Sequence, residues 1–248
     1  LSTSSRVPKR WQTAAVYITS PDYLGQTADV AALAAVCHRF GTLLLVDNAH
    51  GAYLRFLRPS RHPMDQGADL CCDSAHKTLP VLTGGAYLHI SKNAPPAFGE
   101  KARQAMALFG STSPSYLTLA SLDLCNQRLA GDYPTGLTEM EEQLNRLRRR
   151  LAERGWRVED TDPLRLTLTA PAGDTGRRLA QCLREQAMEC EYADEEHLVL
   201  MLTPANHPEE LARLEQALGF APAPPKAKSP LPQARGEQAM PVRQALFA

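Results

Sequence analysis

The amino-acid sequence predicts an α/β protein built on a mostly parallel sheet with helices on both faces, followed by a small α+β unit. Residues 43–46, Leu-Leu-Leu-Val, are an uninterrupted apolar run of strand length. Their lack of polar alternation is the pattern of a strand covered on both faces. A strand pattern at 14–19 and an alanine-rich helix at 29–40 precede this run, giving a βαβ unit. Its crossover is right-handed and its strands parallel. From about residue 133 onward, helices and strands alternate in a shorter α+β succession.

In chain order, the first strand closes on a Ser20-Pro21-Asp22 turn. The helix over 29–40 sets Val30, Leu33, Val36 and Cys37 along one face and stops before Gly41, where helices often end. Residues 54–65 are basic and punctuated by proline, and read as a surface loop with Arg55, Arg58, Arg61 and His62 as solvated charges. Residues 67–72 form another short buried strand, on which Cys71 and Cys72 point to opposite faces. Gly84 and Gly85 permit a close backbone approach before a strand at 86–90, where His89 reads as a satisfied core histidine. Pro114 suits the first turn of a helix over 115–130 that carries Leu117, Leu119, Leu122 and Leu124.

In the second unit, Thr138 and Glu141 have capping-box spacing, and Leu137, Met140, Leu144, Leu147 and Leu151 recur at threes and fours. An amphipathic helix therefore runs to Glu153 and ends at Gly155. Its outer face is the cluster of Arg146, Arg148, Arg149 and Arg150, which complements the helix dipole against Glu139, Glu141 and Glu142. An alternating strand at 164–169, a helix at 175–187, a strand at 197–202 and a helix opened by Pro208 complete the unit, the last with Leu211, Leu214 and Leu218 inward. Residues 221–233 turn to Pro, Ala and Lys, the composition of an extended linker.

Composition excludes some functions. Lys plus Arg and Asp plus Glu number 27 each, so no bulk field attracts nucleic acid or an anionic membrane, and no apolar run is long enough to span one. The six cysteines include no C-x-x-C pair and read as reduced thiols of a cytoplasmic protein. No residue is assigned to a metal.

The chemistry-bearing residues cluster at two strand ends. Asp47 follows the apolar run and is followed by Asn48, Ala49 and His50; Ser74-Ala75-His76-Lys77 follows the second strand. Ligands of open α/β sheets collect at that edge, although an aspartate there also serves as a turn former and a lone loop lysine is commonly a solvated charge. Asp47-Asn48-Ala49-His50 and Ser74-Ala75-His76-Lys77 together resemble the signatures of the ornithine/lysine/arginine decarboxylases, fold-type-I enzymes that use pyridoxal 5'-phosphate (PLP). Ser111-Thr112-Ser113-Pro114-Ser115-Tyr116 followed by Ala120-Ser121-Leu122-Asp123 is similar to that family as well.

The resemblance implies an aminotransferase-like fold and decarboxylation of arginine, lysine or ornithine to a polyamine-type amine. Lys77 is then the Schiff-base amine and Asp47 the acid facing the cofactor's ring nitrogen. His50 lies against the ring or the Schiff base, and Ala49 is small enough for the backbone to approach it. Ser74 and His76 donate to the phosphate, with Ser111 and Thr112 supplied to a neighbouring subunit, which implies a homodimer or higher homo-oligomer with a shared site. Residues 1–132 correspond to part of the PLP-binding major domain, 133–220 to a small domain, and 221–248 to a linker and the start of a further module. The family carries an upstream half of the cofactor domain before anything like Trp11, so the sequence reads as a fragment expected to be inactive alone. Asn48 and Tyr53 stand where relatives often have an acid and a histidine, which leaves the choice of substrate open. Aminotransferase or carbon–sulfur lyase chemistry, or a non-catalytic truncated paralogue, are the alternatives.

Overall fold

A computed structural model describes residues 13–220 of the chain. The 221–248 linker and module expectation lies outside the described residues. The first unit is a four-stranded sheet ordered β1-β2-β3-β4, from β1 (Ala15–Thr19), β2 (Leu43–Asp47), β3 (Leu70–Asp73) and β4 (Tyr87–Ile90). β1, β2 and β3 are parallel, as the βαβ reading requires, while β4 returns antiparallel to β3. The crossover helix α1 (Val30–Arg39) begins where the Asp29 side chain accepts the Ala32 N–H at 2.9 Å. It stops before Gly41, whose φ of 65° is strained for residues bearing a Cβ.

Val30, Ala34 and Cys37 of α1 pack on Leu44, Val46 and Cys71. Val36, expected on the inner face, is 48% exposed, because the buried stripe runs through Ala34 instead. β2 is also more one-sided than its apolar run suggests. Leu44 and Val46 are buried, but Leu43 and Leu45 are only half-buried among the described residues.

The 54–65 segment is not a solvated loop. It forms two short 3-10 turns, Ala52–Phe56 and Pro63–Gln66, that bury Leu54, Leu57 and His62 and leave Arg55 and Arg61 paired with Asp65 and Glu141. After α2 (Ala75–Thr78) and β4 come α3 (Phe98–Phe109), which the sequence reading did not identify, and α4 (Tyr116–Ala130). α4 buries Cys125 and Leu129, whereas Leu117, Leu119 and Leu124 face outward.

The second unit is an antiparallel sheet ordered β5-β6-β8-β7, formed by β5 (Arg157–Val158), β6 (Arg165–Thr169), β7 (Tyr192–Ala193) and β8 (His197–Met201). It packs on α5 (Tyr133–Glu153), α6 (Gly176–Arg184) and α7 (Pro208–Ala217). α5 buries the expected leucine stripe, each fully buried leucine contributing roughly 1.5–3 kcal/mol. It begins five residues before the expected cap, so Thr138 is interior and donates to the Pro134 carbonyl at 3.1 Å. Arg148 departs from the outer basic face. It turns inward and donates to the carbonyls of Asp162 and Arg165.

The alternation of β6 also fails to put its three polar residues in solvent, since all five residues of the strand are buried. The β1–α1 loop covers them: the Asp22 carbonyl accepts from Arg165 and the Leu24 carbonyl from Thr167. One apolar core runs from Ala52 and Ala75 through α4 and α5 into the second sheet, tying the two units together behind the strand ends.

Candidate active site

Parallel pairing brings the two signature turns side by side. β2 and β3 are in register with Asp47 opposite Cys72, and the Asn48 N–H donates to the Cys72 carbonyl at 2.9 Å as the strands end. The chain after β2 folds into a tight turn: the Ala49 N–H donates to Asp47 Oδ1 at 3.1 Å and the Gly51 N–H to the Asn48 carbonyl at 2.8 Å. The chain after β3 enters α2, capped by Ser74, whose side chain makes no capping hydrogen bond. One helical turn places Lys77 Nζ 3.1 Å from His50 Nε2.

Tautomers follow from these partners. An ammonium only donates, so Nε2 of His50 accepts and the ring hydrogen sits on Nδ1. That Nδ1 is buried without a partner. Burial, then the nearby charges of Arg165 and Lys77, pull His50 down to about 4 against the opposing pull of Asp47. His50 is therefore neutral at pH 7 and poised as an acceptor toward Lys77.

The same displacement has a stability consequence. The unfolded chain takes up this proton near pH 6.5 and the folded chain only near 4, so stability falls as pH drops through that window. His50→Gln is expected to flatten this part of the acid dependence, read as the urea midpoint against pH between 4 and 7. An unchanged slope would contradict the assignment.

Asp47 stays at the sheet edge, half-buried, where Tyr17 donates to Oδ2 at 3.1 Å and Cys72 Sγ lies 3.9 Å from Oδ1. Burial and the Asp47 carboxylate together raise the Tyr17 hydroxyl above its ordinary pKa, so it remains a donor. Beyond His50 stands the Tyr23 ring, edge-on at 5.1 Å. Behind Asp47, Asp73 is buried and accepts from His62 at 3.0 Å, His89 at 2.8 Å and Asn48 at 2.7 Å. Burial alone would raise its carboxyl, but the hydrogen bonds from His62 and His89 outweigh that and hold it well below the ordinary carboxylate range.

Of the residues singled out in the sequence, Lys77, His50, Asp47, Ala49 and Ser74 fall in the two facing turns. His76 is turned toward Gly85, whose carbonyl lies 3.0 Å from its Nδ1. A carbonyl only accepts, so Nδ1 carries the hydrogen and Nε2 can donate only when the ring is protonated. Ser111 and Thr112 lie apart on the exposed α3–α4 turn, where Ser111 Oγ accepts the Ser113 N–H at 3.1 Å. His89 is satisfied, as expected, but by Asp73 and with its side chain 37% exposed. Sequence reasoning did not pick out Tyr17, Tyr23, Asp73 or Arg165. Tyr17 was recoverable in principle, because it lies an even number of residues from Thr19, which pairs with Asp47.

The residues present fit PLP: an amine beside a neutral acceptor, a carboxylate at the adjoining strand end, and an orphaned buried ring nitrogen at His50. Among the described residues, no helix is long and apolar enough to cross a membrane.

Comparison with known proteins bears on the family and the fold. The family described as Orn/Lys/Arg decarboxylase, major domain, matches residues 3–167. An uncharacterized protein of Bacillus subtilis, YaaO, is 31% identical over 201 residues, covering 75% of this chain and 40% of its own length. An arginine decarboxylase of Bacillus subtilis is 27% identical over 220 residues, covering 81% of this chain and 44% of its own. The chain thus spans less than half the length of these relatives. The crystal structure of the Francisella novicida lysine decarboxylase LdcF superposes with a TM-score of 0.71 at 18% identity, covering 83% of this chain and 35% of that one, a likeness of fold. With the family matched across both signature turns and most of the described fold, the chain belongs to the Orn/Lys/Arg decarboxylase family.

Proposed function

We propose that this chain carries the lysine-bearing part of the active site of a PLP-dependent decarboxylase of arginine, lysine or ornithine. The observation that supports it most is the Lys77 amine 3.1 Å from the neutral His50 ring, with the Asp47 carboxylate at the end of the strand leading into His50's turn. Residues 1–132 are assigned to the major domain and 133–220 to the small domain. When bound, PLP would supply the electron sink for the bonding pair that stays on the substrate as carbon dioxide departs.

The residues around it have separable tasks. Lys77 Nζ would hold PLP covalently, and the same amine would move a proton at the reacting carbon. His50 Nε2 accepts from that amine and holds it over the sheet edge. The Asp47 carboxylate favours a protonated partner nitrogen, by roughly 1.4–4 kcal/mol for an opposite charge at contact. Ser74 Oγ, unused as a helix cap, is the hydroxyl available to a phosphate, with His76 joining when protonated. Ser111 and Thr112 are assigned to the site of a second subunit. Their turn is flanked by Phe109 and Tyr116, 90% and 87% exposed, the kind of surface a second copy would cover.

Two experiments test this. Release of labelled carbon dioxide from carboxyl-labelled arginine, lysine or ornithine by the whole gene product is expected, whereas keto acid formation without it would replace decarboxylation by transamination. Asp47→Asn is expected to leave the circular dichroism spectrum unchanged and cut turnover about 100-fold or more, because the lost charge acts mainly on the transition state. Near-normal turnover would reduce Asp47 to a turn residue.

A further inference from the structure

We infer that Asn48 and Asp73 form a clamp that fixes the Lys77 turn against the Asp47–His50 turn, making Asn48 and Asp73 positioning residues of the site. The inference rests on the reading of Lys77 and His50 given above. Asn48 is fully buried and immediately follows Asp47; Asp73, 4% exposed, immediately precedes Ser74 and the Lys77 turn. The last backbone link between the strands is the Asn48 N–H to the Cys72 carbonyl. Among the described residues no further backbone hydrogen bond joins the two turns, and the 2.7 Å bond from Asn48 Nδ2 to Asp73 Oδ1 carries the alignment past the sheet.

Asp73 is itself anchored. His62 Nδ1 accepts the Met64 N–H at 3.2 Å, so its hydrogen lies on Nε2 and points at the Asp73 carboxylate, while His89 holds the same oxygen from β4. His62, Cys71 and Asp73 are close enough to one another to hold an ion, but this tautomer leaves Nε2 no lone pair for one. Hydrogen bonding accounts for the cluster. On the other side, a Cβ at Gly51 would overlap Asn48 Oδ1, so the glycine provides the space in which Asn48 reaches Asp73. An aspartate at 48 would put a second carboxylate at hydrogen-bond distance from Asp73, so the amide and the acid are a matched pair.

The test uses the full chain and two readouts. The first is the ring titration of His50 by NMR, which needs no cofactor; the groups facing that ring are Lys77 from α2, Arg165 from β6, Asp47 from β2 and Tyr23 from the β1–α1 loop. In Asn48→Ala and Gly51→Ala, neither of which adds a charge, the midpoint is expected to rise from about 4 toward 6.5 as the turn opens to water. The second is borohydride-trapped incorporation of PLP at Lys77, with Lys92 and Lys101 as internal controls. Asn48→Asp is expected to slow it tenfold or more, and the exchange Asn48→Asp with Asp73→Asn to restore most of the rate. An unchanged His50 titration in both neutral variants, or an exchange that restores nothing, overturns the clamp. If Asn48→Asp does not fold, the neutral variants and the exchange decide. If the wild type takes up no PLP at Lys77, the functional reading fails while the His50 titration still judges the clamp.

Discussion

Lys77→Ala is expected to abolish covalent PLP attachment and reduce carbon dioxide release by about 10²–10⁴-fold or more, the usual contribution of a positioned proton carrier alone. Two losses combine in this variant, since the proposed function gives the same nitrogen both the attachment and the proton transfer. The fold should survive. Lys77 is only half-buried, and α2 is held through Ala75, Leu79 and the His76 N–H bond to the Gly85 carbonyl. Thermal melting should therefore stay close to wild type while the visible absorbance of the bound cofactor disappears. A variant that retained both absorbance and turnover would show that another lysine carries the cofactor.

The second large effect concerns stability. Asp162→Ala is expected to destabilise the chain by about 3–5 kcal/mol, the cost of removing one partner from a buried ion pair. Asp162 and Arg165 are each 1% exposed at the side chain, with Nη1 2.6 Å from Oδ2. The same carboxylate accepts the Tyr53 hydroxyl and, at 3.2 Å, the Leu164 N–H. Deleting it leaves a guanidinium in the core whose Nε and Nη2 are already without partners. Urea unfolding measures the loss, and Arg165→Met in the Asp162→Ala background should recover part of it by removing the stranded charge. A loss below about 1 kcal/mol would mean that water reaches Arg165.

Much of this was legible from residue patterns that act locally. The apolar run before Asp47, the helix stopping at Gly41 and the leucine spacing of α5 each encode a near-neighbour preference, and β1, α1, β2 and α5 follow them. The two signature turns were equally legible, because parallel pairing of adjacent strands brings their carboxyl ends together whatever else the chain does. What escaped depends on distant partners. Arg165 reads as the outward residue of an alternating strand, yet a carbonyl 143 positions earlier accepts from it. Arg148 reads as part of a solvated basic face, yet two loop carbonyls draw it inward. The 54–65 segment is polar by composition, but its few apolar residues and His62 face the core. Asn48 and Asp73 were masked by their neighbours Asp47 and Ser74, and only the strand register makes them a pair.

The proposed role of Lys77 is tested most directly by where PLP attaches. The whole gene product, incubated with PLP, reduced with borohydride and digested, should yield one pyridoxyl-labelled peptide, containing Ser74-Ala75-His76-Lys77 with the label on Lys77. A label confined to another lysine, or none above the level of surface lysines such as Lys92, would contradict it.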